Sequence, residues 1–198
     1  FVEVGGVDEL EEPAQHLLLQ IYEQEKEWEN AIRVARALGN FNGQKLEGVI
    51  AQYHCELAEN AITEGRYDLA RARISDALLV DSDCMRAVIQ AGRLKAIQGD
   101  HRGAIHEWTR AMDSHTDLPG EVTELVRNSY KIIGELDEYS ELLKRMLVSS
   151  DDIRLVLALT EHFYDSNDEG KAEAFLLDRI RSNSSISGLH RLIQIRIL

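Results

Sequence analysis

Cysteine and histidine are the side chains in this chain best suited to catalysis or metal binding. The sequence holds two cysteines and seven histidines. The histidines do not form HExxH, and the cysteines lack the CxxC spacing from which zinc sites are commonly built. The phosphate-binding patterns GxxxxGK[ST] and GxGxxG are absent, as is the nucleophile motif GxSxG. The sequence therefore predicts no catalytic residue, no metal ligand and no cofactor, and a protein that is not an enzyme.

The two cysteines occupy different sequence contexts. Cys55 lies in the middle of a helical pattern, YHCELAENA, where a packed thiol is expected because no nearby cationic pattern would lower its pKa. Cys84 follows DSD at a predicted helix start, which favours the thiolate, but Asp81 and Asp83 act against it. Two cysteines form no disulfide framework and favour a reducing compartment.

Composition narrows the classes of partner. The chain has 198 residues, a net charge of −13, 44% hydrophobic residues and only two prolines. This charge repels phosphate backbones and anionic lipid, so we expect no nucleic-acid partner, whereas a basic or amphipathic helical partner is favoured. No apolar run approaches the ~20 residues that span a membrane.

A repeat organises the chain. Five anchor positions each follow a turn and open a second helix: Ala31, Ala70, Ala104, Tyr139 and Ala172. Their intervals are 39, 34, 35 and 33 residues, and the longer first interval accommodates GNFNGQ at 39–44. Apolar residues three and four apart precede and follow each anchor, which indicates amphipathic helices. A helix–turn–helix unit of about 34 residues is the tetratricopeptide repeat.

The predicted fold is all-α: a single superhelical solenoid of tetratricopeptide repeats over residues 1–198, with about five helix pairs and one terminal helix. The alternative is an irregular helical bundle. The predicted helix pairs are 8–24 with 27–38, 45–63 with 67–79, 83–97 with 101–114, 120–133 with 136–147, and 151–165 with 169–182, followed by a lone helix at 186–197.

A binding surface is predicted from repeat geometry. The first helices of stacked pairs line a concave wall, and such walls bind protein segments. The residues expected there are Gln20, Glu59, Arg93, Asn128, Lys131 and Glu161; the alternative for each is a solvated side chain. The set lacks the Lys/Asn/Arg clamp with which chaperone-binding repeats hold a terminal carboxylate, so a co-chaperone role is disfavoured.

Three stretches carry a more specific resemblance: LLLQIYEQEKEWENAIRVARAL, AQYHCELAENAI and DCMRAVIQAGRLKAIQGDHRGAI. Together with the degraded fourth repeat, GELDEYSELLKR, they resemble the lipopolysaccharide assembly protein B family. The resemblance covers about residues 10 to 197 and is clearest from 17 to 111.

The resemblance implies an adaptor on the cytoplasmic side of the bacterial inner membrane. Members of that family regulate lipopolysaccharide synthesis by promoting degradation of the committed-step deacetylase by a membrane-bound AAA+ protease. They are also linked to a membrane partner that senses lipopolysaccharide. The family carries an N-terminal membrane helix and a C-terminal metal module with two CxxC pairs. Neither has a counterpart in this sequence, so we expect the chain to be the middle of such a protein.

Another function remains open, namely a generic tetratricopeptide scaffold of a different bacterial assembly, such as a secretion or pilus complex. The terminal helix at 186–197 offers Leu189, Leu192 and Ile193 without a second helix to cover them. We therefore expect it to dock on a second copy of the chain, forming a homodimer, or to be covered by a C-terminal module.

Overall fold

The computed structural model describes residues 12–42, 45–114, 121–149 and 152–182. Within these ranges the chain forms ten α-helices and no strand. The helices are α1 Glu12–Gln24, α2 Trp28–Asn42, α3 Glu47–Thr63, α4 Tyr67–Val80, α5 Met85–Ile97, α6 His101–Ser114, α7 Glu121–Ile133, α8 Leu136–Ser149, α9 Ile153–Asp165 and α10 Glu169–Ser182. The predicted all-α class and the five tetratricopeptide helix pairs are confirmed.

The predicted helix bounds differ from the observed ones mainly in the first pair. We expected its second helix to end at 38 and GNFNGQ to be a loop, whereas α2 continues to Asn42. Gly39 is therefore helical, since one glycine lowers helix stability by only about 1 kcal/mol. The predicted first turn of α1 before Glu12 and the lone helix at 186–197 lie outside the described residues.

The turn after the first helix of each pair contains a residue in the left-handed backbone conformation. Gly65, Gly99 and Gly134 have φ of 72°, 83° and 75°, a backbone region that favours glycine. The equivalent residues of the first and fifth pairs are Lys26 and Asn167, with φ of 58° and 55°. Each of the five stands five residues before its anchor, so the turn repeats with the same period as the helices.

The anchor positions are core positions. Ala31, Ala70, Ala104 and Ala172 have no exposed surface, and Tyr139 is 1% exposed. Paired helices approach closely over an alanine, which explains the recurrence of a small residue at this position. The Tyr139 ring contacts the rings of neighbouring aromatic and histidine side chains, and its hydroxyl donates to the Thr123 carbonyl at 3.4 Å.

The chain consists of two compact units, Phe1–Ala111 and Met112–Leu198. In the first unit, consecutive helices from α1 to α5 pack on one another, and α3 also packs on α5. In the second, α7 to α10 pack in the same way, and α7 also contacts α9. Packing between the first helices of adjacent pairs is the stacking that repeat proteins use. The prediction of one continuous array stays a prediction.

Trp108 joins α6 to α5. Its indole Nε1 donates to the Ile89 carbonyl at 3.1 Å, and its side chain lies against Gly92. A Cβ atom at position 92 would be 2.2 Å from Nε1, so only glycine fits beneath this ring. Trp108 is therefore a packing residue, and it is only 1% exposed. No helix in the described ranges is both long and apolar enough to cross a membrane.

Candidate binding surface

The first helices of the second and third pairs face one another through polar side chains. At one end of this contact, Arg86 on α5 donates from Nη1 to Glu56 Oε1 on α3 at 2.5 Å. The arginine side chain is 39% exposed and the glutamate side chain 33%. The pair is thus partly accessible to a ligand as well as part of the helix contact.

One turn further along, two side chains of α5 donate to a single carboxylate on α3. Gln90 Nε2 donates to Glu59 Oε2 at 3.0 Å and also to the Cys55 carbonyl at 3.0 Å. Arg93 Nη1 donates to the same Glu59 oxygen at 3.3 Å. Gln90 is 2% exposed, so it is the buried centre of this arrangement.

We refer to these side chains as the α3–α5 polar cluster, which consists of Glu56, Glu59, Arg86, Gln90 and Arg93. Two carboxylates face two guanidinium groups, so the cluster is charge-balanced although the chain as a whole carries −13. It can therefore offer both donors and acceptors to a bound segment, in place of the single-sign clamp that a terminal carboxylate requires.

A related contact connects the first and third helices. Tyr53 on α3 donates its hydroxyl to Glu23 on α1, and its ring stacks on Trp28 with centroids 5.7 Å apart. Burial, followed by the hydrogen bond to Glu23, raises the pKa of Tyr53 above its ordinary value. The phenol therefore remains a protonated donor, and the contact holds α1 against α3.

The second unit has its own contact between first helices. Arg127 on α7 pairs with Asp165 on α9. Asn128 is exposed and donates to Glu124 Oε1 at 3.4 Å, within α7. Lys131 is also exposed. This surface is therefore more open to solvent than the α3–α5 polar cluster.

The structure brings together two of the six predicted binding residues, Glu59 and Arg93. Gln20 is exposed on α1 and Glu161 on α9. The assignment of all six to a concave wall stays a prediction. Gln90 was not predicted as a binding residue, although it lies between Arg86 and Arg93 on the same face of α5 and donates to Glu59, 31 residues earlier.

The two cysteines form a contact that the sequence analysis also missed. Cys55 and Cys84 are 0% and 3% exposed, and their sulfur atoms are 3.8 Å apart. The hydrogen bond between the two thiols, together with the N–H groups of Ala87 and Arg86, lowers the pKa of Cys84. Burial and Asp81 act in the opposite direction. The balance of effects at this helix start therefore favours the thiolate.

The pKa of Cys55 is raised, first by its hydrogen bond with Cys84 and then by burial. Among the described residues, no three His, Cys, Asp or Glu side chains converge as a metal site would require. Two buried thiols that contact each other do not fit the four-cysteine metal module implied by the resemblance.

Helix–turn–helix pairs with a repeating left-handed turn, buried anchors and stacked first helices define a tetratricopeptide-repeat protein. Over most of its length the chain is homologous to proteins named lipopolysaccharide assembly protein B. It is 27% identical to the Haemophilus influenzae protein over 195 residues, which is 96% of this chain and 48% of that protein. It is 24% identical to the Escherichia coli K12 protein over 176 residues, which is 89% of this chain and 45% of that protein.

The resemblance noted in the sequence is confirmed by these relatives, and the chain spans about half of their length. No protein-family profile matches the chain. Among solved structures, MamA is similar with a TM-score of 0.48 and 13% identity, over 91% of this chain and 94% of MamA. Pseudomonas aeruginosa pilF is similar with a TM-score of 0.47 and 20% identity, over 90% of this chain and 78% of pilF.

Proposed function

We propose that this chain is the repeat region of a non-enzymatic adaptor in lipopolysaccharide assembly. The observation that supports the proposal is the similarity to two proteins of that name along at least 89% of the chain. In this proposal the adaptor acts on the cytoplasmic side of the inner membrane. It presents the committed-step deacetylase to a membrane-bound AAA+ protease and so limits lipopolysaccharide synthesis.

The α3–α5 polar cluster is the proposed client contact in the first unit. Its four charged side chains are partly exposed and lie on adjacent first helices, the position from which stacked repeats bind extended segments. Each charged side chain of the cluster already pairs with another side chain of the cluster. A bound segment must therefore replace these internal hydrogen bonds with its own. Such an exchange favours specificity over affinity, because a segment that fails to replace the lost partner leaves a charge unpaired.

The test tags the protein at its own gene in its source bacterium and measures which proteins copurify. We expect the deacetylase and the protease to copurify, and the deacetylase to become longer-lived when the gene is deleted. Arg93→Glu is expected to reduce the copurified deacetylase about tenfold or more, because it places two carboxylates beside Gln90. The matched control is Arg71→Glu, which reverses an exposed arginine on the second helix α4.

An unchanged lifetime of the deacetylase after gene deletion would contradict the proposed function. A second outcome is that the deacetylase lifetime changes on deletion while equal amounts of deacetylase copurify with the Arg93→Glu and Arg71→Glu variants. In that case the adaptor role stands and the assignment of the contact surface is wrong.

A further inference from the structure

The two cysteine thiols lie close enough to form a disulfide after small movements. Cys55 lies on α3 and Cys84 caps the N-terminus of α5, so the pair bridges the first helices of consecutive repeats. The sulfur atoms are 3.8 Å apart, and a disulfide needs about 2.05 Å, so each has to move by only about 1 Å. Rotation about the side-chain bonds can supply that movement.

The two sulfur atoms are chemically unequal. Cys84 faces the N–H groups at the start of the 13-residue helix α5, and its sulfur contacts the Cys55 sulfur. Peptide N–H groups at a helix N-terminus stabilise a thiolate. Cys55 lies in mid-helix with no exposed surface. Cys84 is therefore the nucleophile of the pair, and Cys55 is the thiol positioned to react with it second.

We propose that Cys55 and Cys84 form a reversible disulfide when the protein is exposed to a peroxide. This disulfide links α3 covalently to the start of α5. The Cys84 thiolate attacks one peroxide oxygen, the O–O bond breaks, and the products are a sulfenic acid and hydroxide. The Cys55 sulfur then attacks the sulfenic sulfur and loses its proton, and water leaves. The two sulfurs are each oxidised by one electron, and the peroxide is reduced.

Access to this pair is restricted to small oxidants. Cys84 is 3% exposed and lies directly after Ser82 and Asp83, both of which are exposed. Gln52, also exposed, stands over the pair with Nε2 3.7 Å from the Cys84 sulfur. Hydrogen peroxide is small enough to enter beside this amide, whereas a bulky disulfide such as oxidised glutathione is excluded. The selectivity therefore follows from burial as well as from thiolate character.

The disulfide would act on the proposed binding surface, although it does not depend on the proposed function. The Cys55 carbonyl is an acceptor for Gln90, which also donates to Glu59, so the thiol pair and the α3–α5 polar cluster share one backbone position. Linking α3 to α5 closes a loop across 29 sequence positions and restrains the spacing of the helices that carry the cluster.

The experiment treats the reduced protein with hydrogen peroxide, unfolds it, alkylates the free thiols and measures the intact mass. We expect both thiols to escape alkylation, a mass lower by two hydrogen atoms, and a Cys55–Cys84 cross-linked peptide after digestion. Dithiothreitol should restore both thiols. The oxidised protein should melt roughly 5–10 °C above the reduced one, as expected when a loop of this length is closed.

Two variants test the order of the steps. Cys55→Ala lacks the second thiol, so Cys84 should accumulate as sulfenic acid and be trapped by dimedone. Cys84→Ala should give no dimedone adduct at Cys55. The proposal is wrong if peroxide leaves both wild-type thiols open to alkylation, or if oxidation produces only intermolecular disulfides or sulfinic acid. A dimedone adduct on Cys55 in place of Cys84 overturns the assigned order of oxidation. The peptide map of the wild-type protein tests the disulfide even if neither variant folds.

Discussion

Arg93 and Glu59 are 34 residues apart, and the Arg93 guanidinium donates to the Glu59 carboxylate at 3.3 Å. The separation is the length of one repeat, so the two residues occupy equivalent positions on adjacent first helices. Their contact, together with Gln90, is the direct structural evidence that these two repeats stack. It also defines which side chains a bound segment in the first unit would meet.

We expect Glu59→Ala to destabilise the fold more than Arg93→Ala. Arg93 is 42% exposed, and an ion pair of this kind contributes about 0.5 kcal/mol. Removal of Glu59 also takes one acceptor from the buried Gln90 amide, which costs roughly 1–2 kcal/mol. Urea unfolding of the two variants measures the difference. Equal destabilisation would show that the Gln90–Glu59 hydrogen bond does not contribute to stability.

Large side chains at the anchor positions should disrupt the helix pairs. Ala70 and Ala104 have no exposed surface, so Ala70→Arg or Ala104→Arg overpacks the contact and buries an unpaired charge. We expect a loss of more than about 2 kcal/mol in the free energy of unfolding. The matched control is Ala72→Arg at an exposed position of α4, which should change stability by no more than about 0.5 kcal/mol. Similar melting of Ala70→Arg and Ala72→Arg would refute the repeat register.

Lys26 occupies a backbone conformation that suits glycine. Its φ of 58° costs a side chain with a Cβ about 1–2 kcal/mol, so Lys26→Gly should stabilise the protein by about 0.5–1 kcal/mol after the entropic cost of glycine. Asn167→Gly should gain less, because asparagine tolerates this region. Gly65→Ala, with φ of 72° and open space around it, should destabilise by about 1 kcal/mol. Thermal melts in which Lys26→Gly is less stable than the parent would contradict this argument.

His54 should make stability depend on pH. Burial lowers its pKa below the ordinary 6.5, Arg73 and Arg36 act in the same direction, and Asp76 and Glu29 oppose them. Because the folded state favours the neutral ring, its contribution is fully present above about pH 6.5 and is lost as the pH falls through the lower, folded-state pKa. Unfolding free energies measured at about pH 7.5 and about pH 5.5 should therefore decrease toward acid.

The His54→Gln variant, which cannot be protonated, should show a smaller decrease over the same interval. The matched control for the exchange itself is His106→Gln, which makes the same substitution at an exposed position. An identical pH dependence in all three proteins would mean that His54 is not the group responsible.

The sequence alone determined the helices, their pairing and the buried anchors. These features depend on short-range patterns, namely a turn before each anchor and apolar residues three and four apart on both sides of it. The repeat of about 34 residues supports the helix assignment more strongly than the pattern of any single segment does. Ala70 and Ala104 were therefore placed in the core correctly. The extension of α2 to Asn42 was missed because GNFNGQ has the composition of a loop, although one glycine lowers helix stability by only about 1 kcal/mol.

Only the tertiary structure decided which side chains meet across repeats. Cys55 and Cys84 are 29 residues apart, Glu59 and Gln90 are 31 apart, and Glu59 and Arg93 are 34 apart, and each pair joins α3 to α5 or to its N-cap residue. Contacts at these different separations depend on how α5 is rotated and shifted against α3. That placement is set by the combined packing of both helices, and no local pattern of residues encodes it.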